Sequence, residues 1–180
     1  DAVELNLSCP HTKGYGIEIG FDPGNVYTVV RAVASTVRIP VIAKLGLSDS
    51  LLKSAERALE AGAKGLTLIN TVKAMAIDVY ALKPVLSNVF GGLSGPPIHP
   101  IAVRTVYEVY RELRAEIIGC GGVSDWASAA EMIAAGARAV QVGTALVKNK
   151  NAVKEILEGL EEGLRLHGFR SIEEAVGAAH

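Results

Sequence analysis

The sequence predicts an α/β fold on a parallel sheet, and three observations carry that prediction. Short β-rich runs alternate with helical ones from end to end, as repeated βα units require. Two helix-to-strand passages read almost alike, Ala61-Gly62-Ala63-Lys64-Gly65 and Ala135-Gly136-Ala137-Arg138-Ala139, each placing a helix-closing glycine before a basic residue and a buried strand. Polar residues and paired glycines follow the strands, while the helix-to-strand side carries only capping residues. Five strands in sequence fit a (β/α)8 barrel or a doubly wound open sheet. A barrel takes about 250 residues, so 180 residues leave roughly three of its units unsupplied.

Taken in order, the first strand is predicted at residues 3–7. Asp22-Pro23 then supplies an N-cap with proline at the first helical position, and Val26, Val29, Val30 and Val33 recur at helical spacing. The second strand, residues 41–45, begins with the apolar run Val41-Ile42-Ala43. Ser48 or Asp49 opens the next helix, which runs through Leu52, Ala55 and Leu59 and is closed by Gly62. A strand at residues 65–69 leads into a long connection, 71–100, carrying Pro84, Pro96, Pro97, Pro100 and the cluster Gly91-Gly92-Leu93-Ser94-Gly95. Connections of that length inside a compact domain are usually functional. Helix 101–113, strand 116–119, helix 124–135 closed by Gly136, and strand 139–142 follow. A helical tail occupies residues 152–166 and 171–178.

The length indicates one domain with one core. Apolar residues at 49 % against 21 % charged exclude a disordered chain. Eighteen basic and 19 acidic side chains leave a formal charge of −1, which argues against nucleic acid as a partner. No apolar run approaches the 18 or more residues of a membrane span. Cys9 and Cys120 are too few for a disulfide scaffold and suit a reducing compartment. The chain opens at Asp1 with a strand expected from residue 3, which marks it as a piece of something longer. His11, His99, His167 and His180 show no metal-ligand spacing.

Chemistry collects at the strand ends. Asn6, Ser8 and Cys9 follow the first strand, Lys44 ends the second, Asn70-Thr71 ends the third, Gly121-Gly122 follows the fourth and Gly143-Thr144 the fifth. In a parallel sheet these positions share one end, where barrels and open α/β sheets place their active sites. Glycines there let backbone N–H groups approach an anion without Cβ obstruction, so a phosphate-bearing ligand follows; taken singly, each glycine only makes a tight turn. Lys44 either projects its ammonium into the mouth of the sheet, stabilising an anion, or snorkels to water. Cys9 is either a base or nucleophile with a lowered pKa, or a small buried hydrophobe. Cys120, within the glycine turn, has the stronger claim to packing.

Six stretches complete the pattern: Asn6-Leu7-Ser8-Cys9-Pro10, Val41-Ile42-Ala43-Lys44-Leu45, Leu68-Ile69-Asn70-Thr71, Gly91-Gly92-Leu93-Ser94-Gly95-Pro96, Ile118-Gly119-Cys120-Gly121-Gly122-Val123 and Val142-Gly143-Thr144-Ala145. In order and spacing the chain resembles the C-terminal part of the dihydroorotate dehydrogenases of the cytoplasmic, cysteine-dependent branch, and most closely the catalytic subunit of the NAD-linked two-subunit form. The resemblance implies a partial FMN-binding domain over residues 1–180, a (β/α)8 TIM barrel of which about the last five βα units are present. It implies oxidation of dihydroorotate to orotate in de novo pyrimidine biosynthesis. Cys9 would be the general base removing a proton from C5 while a hydride passes from C6 to the flavin. Asn6 would contact flavin and substrate, and Asn70 and Thr71 would hydrogen-bond the pyrimidine and its carboxylate. Lys44 would lie beside the flavin ring and Ile69 would offer it a backbone contact. Gly95, Gly121, Gly122, Gly143 and Thr144 would bind FMN, the last four around its phosphate. The loop 11–21 would act as a lid.

His11 stands where the family usually has asparagine, and the family's first three strands are not in this chain. The implied partners are therefore the missing N-terminal barrel portion, an oligomeric mate and, in the NAD-linked form, an iron-sulfur/FAD electron-transfer subunit; a related form uses fumarate directly. Two further readings stand beside this one: a flavoenzyme like the dihydropyrimidine dehydrogenases, with the same fold and cysteine base, and a non-catalytic barrel fragment.

Overall fold

From Val3 the chain builds βα units in strict succession, and the computed structural model describes residues 1–8 and 17–180. Strand β1 (Val3–Asn6) is followed by helices α1 (Ile17–Phe21) and α2 (Pro23–Ala34), strand β2 (Val41–Leu45), helix α3 (Leu51–Glu60) and strand β3 (Gly65–Leu68). Four short strands come next: β4 (Val72–Ala74), β5 (Ile77–Asp78), β6 (Lys83–Pro84) and β7 (Gly91–Leu93). After a 3-10 turn at Pro96–Ile98 come α4 (His99–Leu113), β8 (Ile117–Cys120), α5 (Trp126–Ala134) and β9 (Ala139–Gln141). Helices α6 (Thr144–Lys148), α7 (Ala152–Leu166) and α8 (Ile172–Ala175) close the chain.

The main sheet has the order β1-β2-β3-β8-β9, with every pair parallel. Doubly wound sheets reverse their strand order partway along; this one never does. Sequential order is that of a barrel wall, so of the two architectures open to the sequence the structure selects the barrel, as an arc of five strands. β1 and β9 stand at its two edges, where a closed barrel has none.

Register separates the two faces of the arc. Val41, Ala43 and Leu45 of β2, Leu66 and Leu68 of β3, and Ile117 of β8 are buried on one side, where they meet Val26 and Val30 of α2, Ala55 and Ala58 of α3, Val106 and Val109 of α4 and Met132 of α5. Glu4, Lys44, Thr67, Cys120 and Gln141 occupy the alternate positions on the other side, because successive side chains of a strand point to opposite faces.

Helix boundaries follow cap chemistry. Asp22 accepts from the N–H groups of Gly24 at 2.7 Å and Asn25 at 3.1 Å, with Pro23 opening α2. α3 begins at Leu51, later than its Ser48 or Asp49 signal, because Ser50 is its N-cap and turns its hydroxyl to Phe21 O instead of into the helix. α4 starts two residues before the expected 101, the 3-10 turn feeding it directly and Pro100 occupying its first turn. α5 starts after Asp125, which forms a reciprocal capping box with Ser128, rather than at 124. Gly136 closes the unit with φ of 119°, and a Cβ there would lie 2.2 Å from the Tyr110 ring carbon Cγ, so only glycine lets α4 pack this close.

Three expectations are corrected. Residues 71–100 are not a plain connection: β4 pairs with β7 and β5 with β6, both antiparallel, forming a projecting arm on which Tyr80 and Leu82 are almost fully exposed. Residues 17–21 of the expected lid loop are helical. The last helix covers only Ile172–Ala175 instead of 171–178. Among the described residues, no helix is long and apolar enough to cross a membrane.

Candidate active site

At the carboxyl ends of the five parallel strands a cavity of about 540 Å³ opens, within the range of small-molecule and cofactor sites. Its wall is drawn from every unit beyond β1: Lys44 from β2; Ile69, Asn70 and Thr71 after β3; Ser94 and Gly95 after the arm; Cys120, Gly121 and Gly122 at the end of β8; and Gly143 and Thr144 after β9. Seven residues picked out by their place at the strand ends, Lys44, Asn70, Thr71, Gly121, Gly122, Gly143 and Thr144, and two implied by the resemblance, Ile69 and Gly95, thus border one space. Lys44 and Gly143 open onto the same side. Cys9, His11 and the first part of the expected lid, residues 11–16, lie outside the described residues.

One end of the cavity is a hydrogen-bonded amide cluster. Asn70 Nδ2 donates to Ser8 Oγ at 3.0 Å, to Ser8 O at 3.2 Å and to Asn6 Oδ1 at 3.2 Å. Asn70 Oδ1 in turn accepts from the Thr71 N–H at 2.8 Å. Asn6 does not line the cavity itself but is tied to it through Asn70, which also ties Ser8 to it.

The opposite end is built from backbone. Gly95, Gly121 and Gly122 have φ of 81°, 132° and 73°, in the left-handed region that favours glycine. A Cβ on Gly122 would come within 2.7 Å of Gly95 O, whereas one on Gly143 would meet nothing within 4 Å. Gly143 has φ of −116°, so its backbone needs no glycine; what its missing side chain leaves is open space on the cavity wall. The N–H groups of Gly122 and Gly143 have no hydrogen-bond partner among the described residues. Donors of this kind, free of side-chain bulk, suit an anion. Thr144 Oγ1 donates to Ser94 Oγ at 3.1 Å, joining the turn after the arm to the turn after β9. Behind the cradle His99 Nδ1 lies 2.9 Å from Gly121 O; a carbonyl only accepts, so that nitrogen carries the proton and pins the turn. Lys148, from α6, adds a second ammonium to the lining.

Between the two ends Lys44 is held rather than free. Its Nζ donates to Gln141 Oε1 at 2.8 Å and lies 3.6 Å from Glu4 Oε1. Glu4 Oε2 accepts from Thr67 Oγ1 at 2.6 Å and from Gln141 Nε2 at 2.8 Å. Lys44 therefore points across the inner face of the arc, not out to water. Burial pushes the Cys120 thiol up; Lys44 offsets part of that and Glu4 adds to it. Cys120 is thus a neutral thiol on the cavity wall, lining the space rather than packing away from it as its position in a glycine turn suggested.

Glu4, Thr67, Gln141, Ser94 and Lys148 were not picked out from the sequence. The one available signal was Glu4, a charged residue two positions from Asn6 and so on the same strand face.

Comparison with known proteins gives the family. Residues 1–164 match the family model described as dihydroorotate dehydrogenase. A protein of Aeropyrum pernix provisionally named dihydroorotate dehydrogenase A (fumarate) is 61 % identical over 180 residues, covering 99 % of this chain and 59 % of the relative. The catalytic subunit of dihydroorotate dehydrogenase B (NAD(+)) from Pyrococcus furiosus is 52 % identical over 181 residues, covering 99 % of this chain and 60 % of the relative. The crystal structure of an Eimeria tenella DHODH in complex with ferulenol superposes with a TM-score of 0.83 at 24 % identity, over 100 % of this chain and 54 % of that one, a likeness of fold. The chain spans about 60 % of the length of the curated relatives it matches. It belongs to the dihydroorotate dehydrogenase family.

Proposed function

We propose that this chain forms the carboxyl-side part of an FMN-dependent dihydroorotate dehydrogenase, residues 1–180 being a partial barrel domain that works together with the strands completing the barrel. The observation that carries the reading is the shared cavity: an ammonium, an amide cluster and a glycine cradle whose N–H groups find no partner among the described residues converge on one space at the strand ends. The donor set fits FMN. Gly121, Gly122, Gly143 and Thr144 would hold its phosphate, Gly95 and the Ile69 backbone would border the ring, and Lys44 would lie against the ring where negative charge gathers. Bound there, FMN would supply the hydride acceptor.

The chain's own residues do the rest. Asn70, braced by Ser8 and Asn6, presents its amide and the neighbouring Thr71 to the pyrimidine ring and carboxylate of dihydroorotate. Cys9 would be the base that takes the proton from C5 of dihydroorotate; with the hydride from C6 accepted by the bound cofactor, the substrate would become orotate. Cys120 does not compete for that role, because burial keeps its thiol protonated. Relatives of this chain are named as both fumarate-linked and NAD(+)-linked forms; in the second, an electron-transfer subunit would be a further partner. We place the protein in the cytoplasm and in pyrimidine biosynthesis on the same reading.

The test uses the whole barrel. The protein should carry a flavin absorbance near 450 nm, as any bound oxidised flavin does, and oxidise dihydroorotate in preference to dihydrouracil. Cys9→Ala should lower turnover by about 10²- to 10⁴-fold, the usual worth of a positioned proton acceptor, with flavin content retained. A colourless protein, or one in which Cys9→Ala loses flavin and activity together, contradicts the assignment.

A further inference from the structure

We propose that Glu4 and Gln141 are positioning residues that set both the place and the effective charge of the Lys44 ammonium toward the cofactor, an inference resting on the FMN reading above. Lys44 belongs to β2, Glu4 to β1 and Gln141 to β9, so the three come from the two edges and the interior of the arc. They close a ring: Lys44 Nζ to Gln141 Oε1 at 2.8 Å, Gln141 Nε2 to Glu4 Oε2 at 2.8 Å, and Glu4 Oε1 back to Lys44 Nζ at 3.6 Å. Thr67, wholly buried in β3, fixes the carboxylate from below through its hydroxyl at 2.6 Å.

The division of labour follows from the distances. A primary amide at 2.8 Å orients the ammonium without changing its charge. A carboxylate at 3.6 Å is too long for a hydrogen bond but close enough to oppose the ammonium's field. Because Gln141 donates to Glu4 through one end of its amide and accepts from Lys44 through the other, its amide cannot flip without breaking both bonds. The ring therefore delivers to the cavity a cation of fixed position and reduced effective charge. A bare lysine in that place would favour the reduced, more negative form of the flavin more strongly. Glu4 tempers that preference.

The two variants should therefore act differently. In the protein with its complete barrel, Glu4→Gln keeps the shape and removes the opposing charge. Bound FMN should become easier to reduce, with reduced FMN favoured over oxidised by up to about tenfold, an upward shift of about 30 mV for a two-electron couple. Gln141→Leu removes the 2.8 Å acceptor and leaves the charges alone, so FMN should be held a few-fold to about tenfold less tightly, with its potential moved less than in Glu4→Gln. A structural role alone would not raise the potential. Glu4→Gln with an unchanged or lowered potential overturns the proposal while the FMN reading stands. If Glu4→Gln does not fold, Gln141→Leu decides: unchanged FMN retention in that variant overturns it. Wild-type protein that binds no FMN removes the FMN reading itself, and this inference with it.

Discussion

The two faces of the five-stranded arc are made from alternate residues of the same strands and have almost nothing else in common. On the outer face Ala43, Leu45, Leu66, Leu68 and Ile117 are buried beneath the helices, with no polar partner among them. On the inner face Lys44, Gln141 and Glu4 close a ring of two hydrogen bonds and one ion pair, with Thr67 bonded to the Glu4 carboxylate and Cys120 beside it. A one-residue step along a strand thus moves from groups whose contribution is burial to groups whose contribution is charge and direction. The outer face answers for stability and the inner face for binding, and each can be tested against the other.

The widest separation is expected for truncations of comparable position. Leu68→Ala, at a fully buried outer site, should cost about 2–5 kcal/mol of unfolding free energy, transfer and cavity terms together. Gln141→Ala, on the inner face, should cost about 1 kcal/mol or less. Denaturant midpoints at unchanged slope measure both; an inner-face loss as large as the outer one would break the division.

A smaller effect sharpens it at a helix end. Asp125 caps α5, and its carboxyl lies below the usual carboxylate range because the Ser128 N–H bonds it at 2.8 Å, with the Ser128 hydroxyl, also at 2.8 Å, adding to this. A lowered folded pKa means the stabilisation is present above the unfolded carboxylate range and is lost as pH falls through the folded value. Asp125→Ala should cost about 1 kcal/mol at neutral pH. The gap between variant and parent should close in acid. Melting curves across pH check this, and a gap independent of pH would count against the cap as its source.

The outer face was legible because burial writes itself into a sequence locally. Helical spacing of valines at Val26, Val29, Val30 and Val33, a cap such as Asp22, or a closing glycine such as Gly136 each acts within a few residues. Strand ends slipped by about one residue for the same reason, since pairing of the last residue depends on its neighbour strand rather than on itself. The arm was not legible: with glycines, prolines and no periodicity in residues 71–100, only its fold-back pairing of Val72 with Leu93 defines it.

Of the site, the parts at strand ends could be read, because topology alone gathers Lys44, Asn70, Gly121, Gly122 and Gly143. The ring on the inner face could not. Gln141 meets Glu4 across 137 residues of sequence, and a glutamine inside a short strand carries no sign of a partner so distant. The glycines taught the reverse lesson: Gly122 is required by its backbone and by its neighbours, whereas Gly143 is required only by the space it leaves open.

The central claim is that the glycine cradle and Lys44 grip one phosphate-bearing flavin, and a titration of FMN into the complete-barrel protein beside its Gly122→Ala variant tests it most directly. A methyl at that position would stand 2.7 Å from both Gly95 O and His99 Cβ, closing the cradle from within. The account predicts that the parent binds FMN and that the folded variant binds it at least about tenfold more weakly, equivalent to about 1.4 kcal/mol. A folded Gly122→Ala protein that holds FMN as tightly as the parent would contradict it.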